Sequence, residues 1–369
     1  MAVASYDDVV NSVKTDTLHE TDRKCPQCGG VMDFDPATGG LHCPYCDYKE
    51  AIPEANDEGE KTAEELDFES AEFTGNCDWG ADKKTVTCKS CGATSVYDAL
   101  QVANECPYCG SNQVMEASDV KTLAPNGAVL FKITAKQAGE RFLSWIKGKW
   151  FCPRAAKESA KADKFKGVYL PYWTFDANTM TTYTAEYGID RRVKRGDKWV
   201  TITNWHPTSG TYSEFIDDQL VSGTTAHDNS ILQMIEPYNT EDNKAYKPEY
   251  MAGFAAERYS VGLKDAWENA KEFIGDRLRS GISSQVIHQY NANHVRSIMM
   301  NTRYSNITYK YLMLPVWISA FGFNGKTYQF MVNGQTGKVG GRYPISPWRV
   351  ALAVLIAIAV IALFLYFSN

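Results

Sequence analysis

The period of the hydrophobic positions changes several times along this chain, and each change predicts an element. Residues 168–187 alternate and are rich in Thr and Tyr, the pattern of a half-buried strand. Arg195-Gly196-Asp197 follows as a hairpin turn leading into a second strand, residues 199–205. Over residues 260–280 the period lengthens to that of a helix, with Leu263, Ala266, Trp267, Ala270, Phe273, Ile274 and Leu278 on its inward face. An earlier helix starts at Thr134, which forms a capping box with Gln137 and has Phe131 as its hydrophobic staple. Residues 311–332 return to strand, with Asn324-Gly325 as a hairpin turn and residues 334–337 as another. At the N-terminus, Tyr6, Val9, Val10 and Val13 fall at helical spacing, as in a short helix capping the neighbouring domain.

One stretch has no polar face at all. Residues 350–367 are eighteen consecutive residues without a charge. At about 1.5 Å per residue they make a helix of roughly 27 Å, close to the thickness of a bilayer core. Trp348 and Tyr366 stand where interfacial aromatics belong, and Arg342 and Arg349 lie on the N-terminal side. The expectation is a single-pass tail anchor over 348–369, with the N-terminal bulk in the cytoplasm. Residues 1–14 have no long apolar run and do not read as a secretory signal.

Against this pattern, the averages of the 369 residues mislead. The net charge of −6 and mean hydropathy of −0.36 suggest a mildly acidic, hydrophilic chain. By parts, residues 1–120 hold 8 basic and 24 acidic residues, net −16, whereas the remainder carries +10. Nine acids and one lysine fall in residues 51–72, which read as a solvated linker. Only nine of the 46 aromatic residues precede position 121, so the main core belongs to residues 121–347. The densest cationic cluster is Arg191, Arg192, Lys194, Arg195 and Lys198, around the predicted hairpin. Because the basic part adjoins the anchor, anionic lipid headgroups are one candidate partner, beside acidic ribbons of another copy and nucleic acid.

The cysteines carry the clearest chemistry. Cys25-Pro-Gln-Cys28 is followed after fourteen residues by Cys43-Pro-Tyr-Cys46, and Cys88-Lys-Ser-Cys91 after fourteen by Cys106-Pro-Tyr-Cys109. Each CxxC forms a knuckle that aims two thiolates at one point, and glycine after the second cysteine permits the positive φ of the turn. Two knuckles joined by a hairpin give a closed tetrahedral shell, as in structural zinc sites, so two Zn²⁺ are expected. Spacing alone leaves iron as the alternative. Four sulfurs leave no position for a catalytic water, and the metal's role is to hold together a ribbon too small to fold alone. Neither ribbon has a surplus of cations, which argues against nucleic-acid binding by these modules. Cys77 and Cys152 have no partner at ligand spacing and read as packing residues.

Motifs for catalysis are missing. Asn333-Gly-Gln-Thr-Gly337-Lys338 lacks the glycine spacing and the Ser or Thr of a phosphate loop, and the six histidines show no ligand or triad spacing. Asp176 and Glu236 have no partner visible along the sequence. Tyr169-Leu-Pro-Tyr-Trp173 is similar to Met313-Leu-Pro-Val-Trp317, which fits either a duplicated unit or convergent chemistry at two strand entries.

The fold class expected is therefore α+β: two N-terminal β zinc ribbons at 23–50 and 73–118, a mixed domain rich in antiparallel strands at 121–347, and one C-terminal transmembrane helix. Residues 1–22 and 51–72 flank the first ribbon. The ribbons together with Gly167–Ala177, residues 235–238, residues 250–254, residues 314–317 and residues 328–338 resemble a bacterial family of transcription-factor-B-type zinc-ribbon membrane proteins. Such proteins often bear names taken from replication-restart helicases, but motor motifs are missing here. The resemblance implies partnership with flotillin-like or phage-shock membrane proteins in envelope maintenance. The function expected is a non-enzymatic, inner-membrane adaptor whose projecting ribbons recruit cytoplasmic or membrane proteins, with no small-molecule substrate. The alternatives are a membrane-tethered nucleic-acid-binding protein and, third, an enzyme of another kind whose site lies in the aromatic β-domain.

Overall fold

The computed structural model describes residues 24–52, 62–72, 83–88, 94–98, 114–116, 125–160, 165–196 and 198–368. Short strands come first: β1 (Asp33–Asp35), β2 (Gly40–His42), β3 (Lys49–Glu50), β4 (Leu66–Asp67), β5 (Lys83–Cys88), β6 (Thr94–Asp98), β7 (Val114–Glu116) and β8 (Gly127–Ala128). Helices α1 (Ala135–Gly148) and α2 (Arg154–Ser159) lead to the two halves of a very long hairpin, β9 (Lys166–Arg195) and β10 (Lys198–Ser222). Then come α3 (Asn229–Ile235), β11 (Lys244–Ala245), β12 (Ala255–Glu257) and α4 (Leu263–Tyr290). A second long hairpin, β13 (His294–Phe323) with β14 (Lys326–Asn333), precedes β15 (Val339–Gly341) and α5 (Pro347–Ser368). The class is α+β, with β1–β3 as a small sheet and the other twelve strands in one mostly antiparallel sheet.

The sequence pattern placed the long strands but underestimated them. β9 and β13 have 30 residues each, a contour of roughly 100 Å. They pair antiparallel from Lys166↔Ile318 to Gly188↔His294, and beyond that point, among the described strands, only β9 and β10 continue to the Arg195↔Lys198 turn. The alternation breaks where bulges interrupt the ladder, between Ile216 and Gln219, Arg296 and Met299, and Ser305 and Thr308. Asp218, Ser297 and Asn306 take positive φ at these bulges. Helix α4 also runs longer than its predicted end at Ser280, adding buried Ile282 and Val286. Its polar Ser-Gly-Ile-Ser-Ser run hides that continuation, and Gly281 leaves room for the Tyr212 hydroxyl.

The two Leu-Pro-x-Trp segments lie side by side at the sheet centre, Leu170 opposite Leu314. They belong to two equivalent units, β8–α1–β9–β10 and β12–α4–β13–β14, whose first strands are exchanged. β12 pairs parallel with β9, and β8 pairs parallel with β13. The prolines explain the repeat. Gly223 N–H donates to Pro171 O (2.8 Å), but Pro171 has no N–H to return. The Gly223 carbonyl instead accepts Ser260 N–H and Val261 N–H, at 2.8 and 3.0 Å. In the other unit Gly334 N–H donates to Pro315 O, and the Gly334 carbonyl accepts Lys132 N–H and Ile133 N–H. Each tryptophan then closes the joint, Trp173 Nε1 donating to Val261 O (2.9 Å) and Trp317 Nε1 to Ile133 O (2.7 Å). Of the two origins the repeat allowed, these matched bonds favour duplication.

Three expectations about the domains differ from the structure. The ribbon at 23–50 does not project. Met32, Phe34 and Leu41 are buried in the core that holds Tyr169 and Trp173, and Phe34 N–H donates to Ala252 O. Phe34 also meets Tyr250 edge-on at 6.3 Å. The second half of the acidic linker is likewise structured: β4 pairs with β13, and Phe68 packs on Phe175 and Trp267. Its few apolar residues anchor it while its acids stay exposed. Strands β5–β7 of the second ribbon join the large sheet through the β6–β12 pair rather than forming a separate module. The helix expected near the N-terminus lies outside the described residues.

Candidate functional site

The candidate metal centre is a four-cysteine cluster built by two knuckles of the same design. Gly29 N–H donates to Cys25 O and Asp47 N–H to Cys43 O, and Gly29 and Asp47 both take positive φ. The second knuckle thus uses aspartate where glycine was expected, in line with the tolerance of Asp for this region. Cys25 and Cys46 sulfurs lie 3.4 Å apart, and Cys28 and Cys43 sulfurs 3.5 Å. Metal–sulfur bonds of about 2.3 Å in a tetrahedron put sulfurs roughly 3.8 Å apart, so the four side chains can hold one metal ion.

The thiols are free and unequal without a cation. Burial opposes ionisation of Cys25, but the Cys28 and Gln27 amides and the Cys46 and Cys43 sulfurs bring it down to about 7. Cys46 accepts the Tyr48 amide, which favours its charge. Burial and the three other sulfurs outweigh that and push it up to about 12. Four thiolates therefore need a cation among them. Of the second set, Cys88 ends β5, while Cys91, Cys106 and Cys109 lie outside the described residues.

The basic hairpin is exposed at the far end of the long sheet. Its register puts Arg191, Val193 and Arg195 on one face with Ile202, Val200 and Lys198, and Arg192 and Lys194 on the other with Thr201 and Trp199. Trp199 is 69% exposed. Where three strands become two, Asp190 N–H donates to Asn293 Oδ1, and His294 lies 3.1 Å from the Asp190 carboxylate. Arg296 stacks 3.9 Å over Trp205 and pairs with Glu186 at 2.8 Å.

Helix α5 begins at the opposite end. Ser346 N–H donates to Phe151 O, and the Arg349 guanidinium reaches the Trp150 and Cys152 carbonyls. Beneath it Phe142 stacks on Phe330 at 3.6 Å, with Ile146, Cys152 and Phe321 buried around them. Cys152 is thus the packing residue expected, and burial raises its thiol pKa. The helix is long and apolar enough to cross a membrane, with mean hydropathy 3.0 and none of its span buried. Trp150, Ile345 and Trp348 are exposed around its start. Residues 136–166 carry nine basic and three acidic residues.

Helix α4 measures the separation of these ends. Trp267 packs on Phe175 at 5.3 Å and Tyr290 stacks on Tyr187 at 4.2 Å. Twenty-three helical residues span about 35 Å and the twelve strand residues alongside about 40 Å, so this stretch runs straight. Arg195 lies eight residues further on. Of the partners open to the basic hairpin, headgroups beside the C-terminal helix are therefore the least favoured by this placement. The basic part does adjoin the C-terminal helix, but through the cations of α1 and α2.

Sequence reading also missed two buried polar groups. Lys310 lies 2.7 Å from Asp218 and 3.9 Å from Asp176, and the Asp218 amide donates to Asp176 at 2.6 Å. His227 Nε2 is 3.1 Å from Glu257 Oε2, both side chains almost fully buried, and the Thr224 hydroxyl donates to Glu257. Nearby Glu236 is pushed up to about 7 by burial, with Lys338 partly offsetting the shift. Asp176 and Glu236 were the lone acids of the sequence, and only long-range pairing supplies their partners.

Comparison with known proteins adds one relative. A protein of Bacillus subtilis (strain 168) described as the uncharacterized protein YdjG is 29% identical over 337 residues, covering 89% of this chain and 91% of its own. No family model matches the chain. No solved structure matches it.

Proposed function

We propose that this chain is a membrane-anchored, non-enzymatic adaptor that uses its long sheet as a stalk and presents the basic hairpin to an acidic partner protein. The observation that carries this reading is the separation of the unburied apolar helix from the exposed cations by the straight stretch beside α4. In this reading α5 crosses the inner membrane. Trp150 and Trp348 sit at the interface, and Lys and Arg of α1 and α2 meet anionic headgroups. The positive flank keeps the domain in the cytoplasm. The ribbons hold structural zinc and brace the domain, while recruitment passes from the ribbons to the hairpin. The proposal includes membership of the zinc-ribbon membrane family and a role in envelope maintenance.

The test is crosslinking and pull-down from native membranes, comparing the wild type with Arg191→Glu/Arg192→Glu/Lys194→Glu/Arg195→Glu. The expected result is loss of the protein partners while the chain stays in the membrane fraction. An unchanged partner set overturns the hairpin's role. Salt-sensitive co-purification of nucleic acid instead of protein overturns the adaptor reading in favour of the nucleic-acid alternative.

A further inference from the structure

The two equivalent units differ, among other things, at one sheet edge. In the second half the outer edge of β14 is covered by β15, with Phe330 opposite Gly341 and Val332 opposite Val339. Aligning the motif glycines, Gly334 with Gly223, makes residues 219–222 of β10 the counterparts of residues 330–333. β10 pairs with β9 on its inner side, and no described strand pairs with its outer side. A cavity of about 400 Å³ lies there, lined by residues 219–222 together with parts of α3 and α4.

The hydrogen-bond alternation fixes what this edge offers. Gly223 N–H points inward to Pro171 O, so the amides and carbonyls of Leu220 and Ser222 point outward. In the second half the equivalent Asn333 N–H is used, donating to Lys338 O at 2.9 Å. At the open edge the Gln219 side chain turns back onto the Leu220 carbonyl at 3.2 Å. It takes the place that a neighbouring strand's amide holds elsewhere. An outward-facing edge between two helices is the setting in which an extended peptide adds a strand.

The cavity's charge selects the peptide. Glu236 and Glu272 line it with Asn229, Gln233 and Asn269, and no Lys or Arg is among its described lining residues. The strand that occupies the equivalent place is itself flanked by cations: Lys338 Nζ donates to the Glu236 carbonyl and Arg342 pairs with Asp228. We infer that residues 219–222 of β10 form a strand-acceptor site for an extended peptide segment carrying Lys or Arg, bound antiparallel as β15 is bound by β14. This docking site is separate from the basic hairpin, takes a ligand of opposite charge, and does not depend on what the hairpin binds.

The experiment uses the full chain in detergent micelles and a fluorescent, N-acetylated peptide with the sequence of residues 336–343. Polarisation reports binding, and amide hydrogen exchange reports its place. In the free chain the Leu220 and Ser222 amides are expected to exchange at least about a hundredfold faster than those of Met331 and Asn333. The peptide should bind saturably below about 1 mM and slow Leu220 and Ser222. Replacing its Lys and Arg by Glu, or using Glu236→Gln/Glu272→Gln in the chain, should weaken binding about tenfold. Slow exchange at Leu220 and Ser222 in the free chain overturns the inference, because the edge would already be paired. It is equally overturned by no saturable binding up to about 1 mM, by indifference to the charge changes, or by effects confined to Met331 and Asn333.

Discussion

Replacing Lys310 by Met tests whether the buried ionic group is held together by charge. Lys310 is 6% exposed and Asp176 3% exposed. The ammonium stands 2.7 Å from Asp218, 3.3 Å from Glu65 and 3.9 Å from Asp176. Burial opposes its charge, but these three carboxylates outweigh that and raise its pKa. Asp176 is pushed up to about 6 from 3.8, chiefly by burial, with the Asp218 amide and Lys310 opposing the rise. A rise of about two pKa units corresponds to roughly 3 kcal/mol with the cation present. Removing the cation leaves the carboxylates facing each other, and breaking such a pair destabilises by about 3–5 kcal/mol.

The pH dependence gives the sign. The folded pKa of Asp176 exceeds its unfolded value, so its contribution to stability is full below about pH 4 and is lost as pH rises through 6. In Lys310→Met the folded pKa moves higher still, so the deficit relative to wild type should be larger at pH 8 than at pH 5, where the loss of the 2.7 Å pair with Asp218 remains. Asp176→Asn keeps an oxygen for the Asp218 amide and removes the charge, so it should stabilise the chain at pH 7 and partly rescue Lys310→Met. The assay is fluorescence-monitored unfolding of the full chain in detergent from pH 5 to 8. A deficit under about 1 kcal/mol at pH 8, or one equal at pH 5 and pH 8, refutes the reasoning.

Four further outcomes are expected. Cys43→Ser should lose one metal ion per chain by elemental analysis and speed amide exchange at Phe34, whose docking depends on the ribbon. Phe142→Ala removes a fully buried ring stacked on Phe330 and should lower unfolding stability by about 3–5 kcal/mol, far more than Phe142→Leu. Trp173→Phe and Trp317→Phe each lose one indole hydrogen bond to a carbonyl, so their unfolding penalties should agree within about 1 kcal/mol; a large difference counts against the equivalence of the two units. Glu236→Gln should stabilise the chain at pH 8 more than at pH 5. The folded pKa of about 7 lies above the ordinary 4.5, so the native acid's contribution is present below pH 4.5 and lost through pH 7.

Several features were legible along the chain because their causes are local. The Thr134–Gln137 capping box and the turns at Gly196 and at Asn324-Gly325 depend on neighbours a few positions away; the alternation expected over residues 168–187 holds only from Ala177 to Ala185, because residues 168–177 are covered on both faces of the sheet. The apolar run that became α5 is readable from composition alone. So was the Cys25, Cys28, Cys43 and Cys46 cluster, since each knuckle needs only four residues and a turn.

What the sequence could not decide depends on residues far apart in it. The partners of Asp176 are Asp218 and Lys310, 42 and 134 positions away, and they meet because a bulge at Ile216–Gln219 and the β9–β13 register bring them together. The paired Leu-Pro-x-Trp segments looked like a faint repeat until the prolines' missing donors were seen to free two glycine carbonyls for the opposite unit. Charge read along the chain puts the basic hairpin and the apolar helix in the same basic part and says nothing of their distance. Thirty-residue strands and the helix alongside them carry the hairpin to the other end. Composition and local pattern determined the four-cysteine cluster, the apolar helix and most element types. Their relative placement was decided by sheet register and exchanged strands, which bring together residues more than a hundred positions apart.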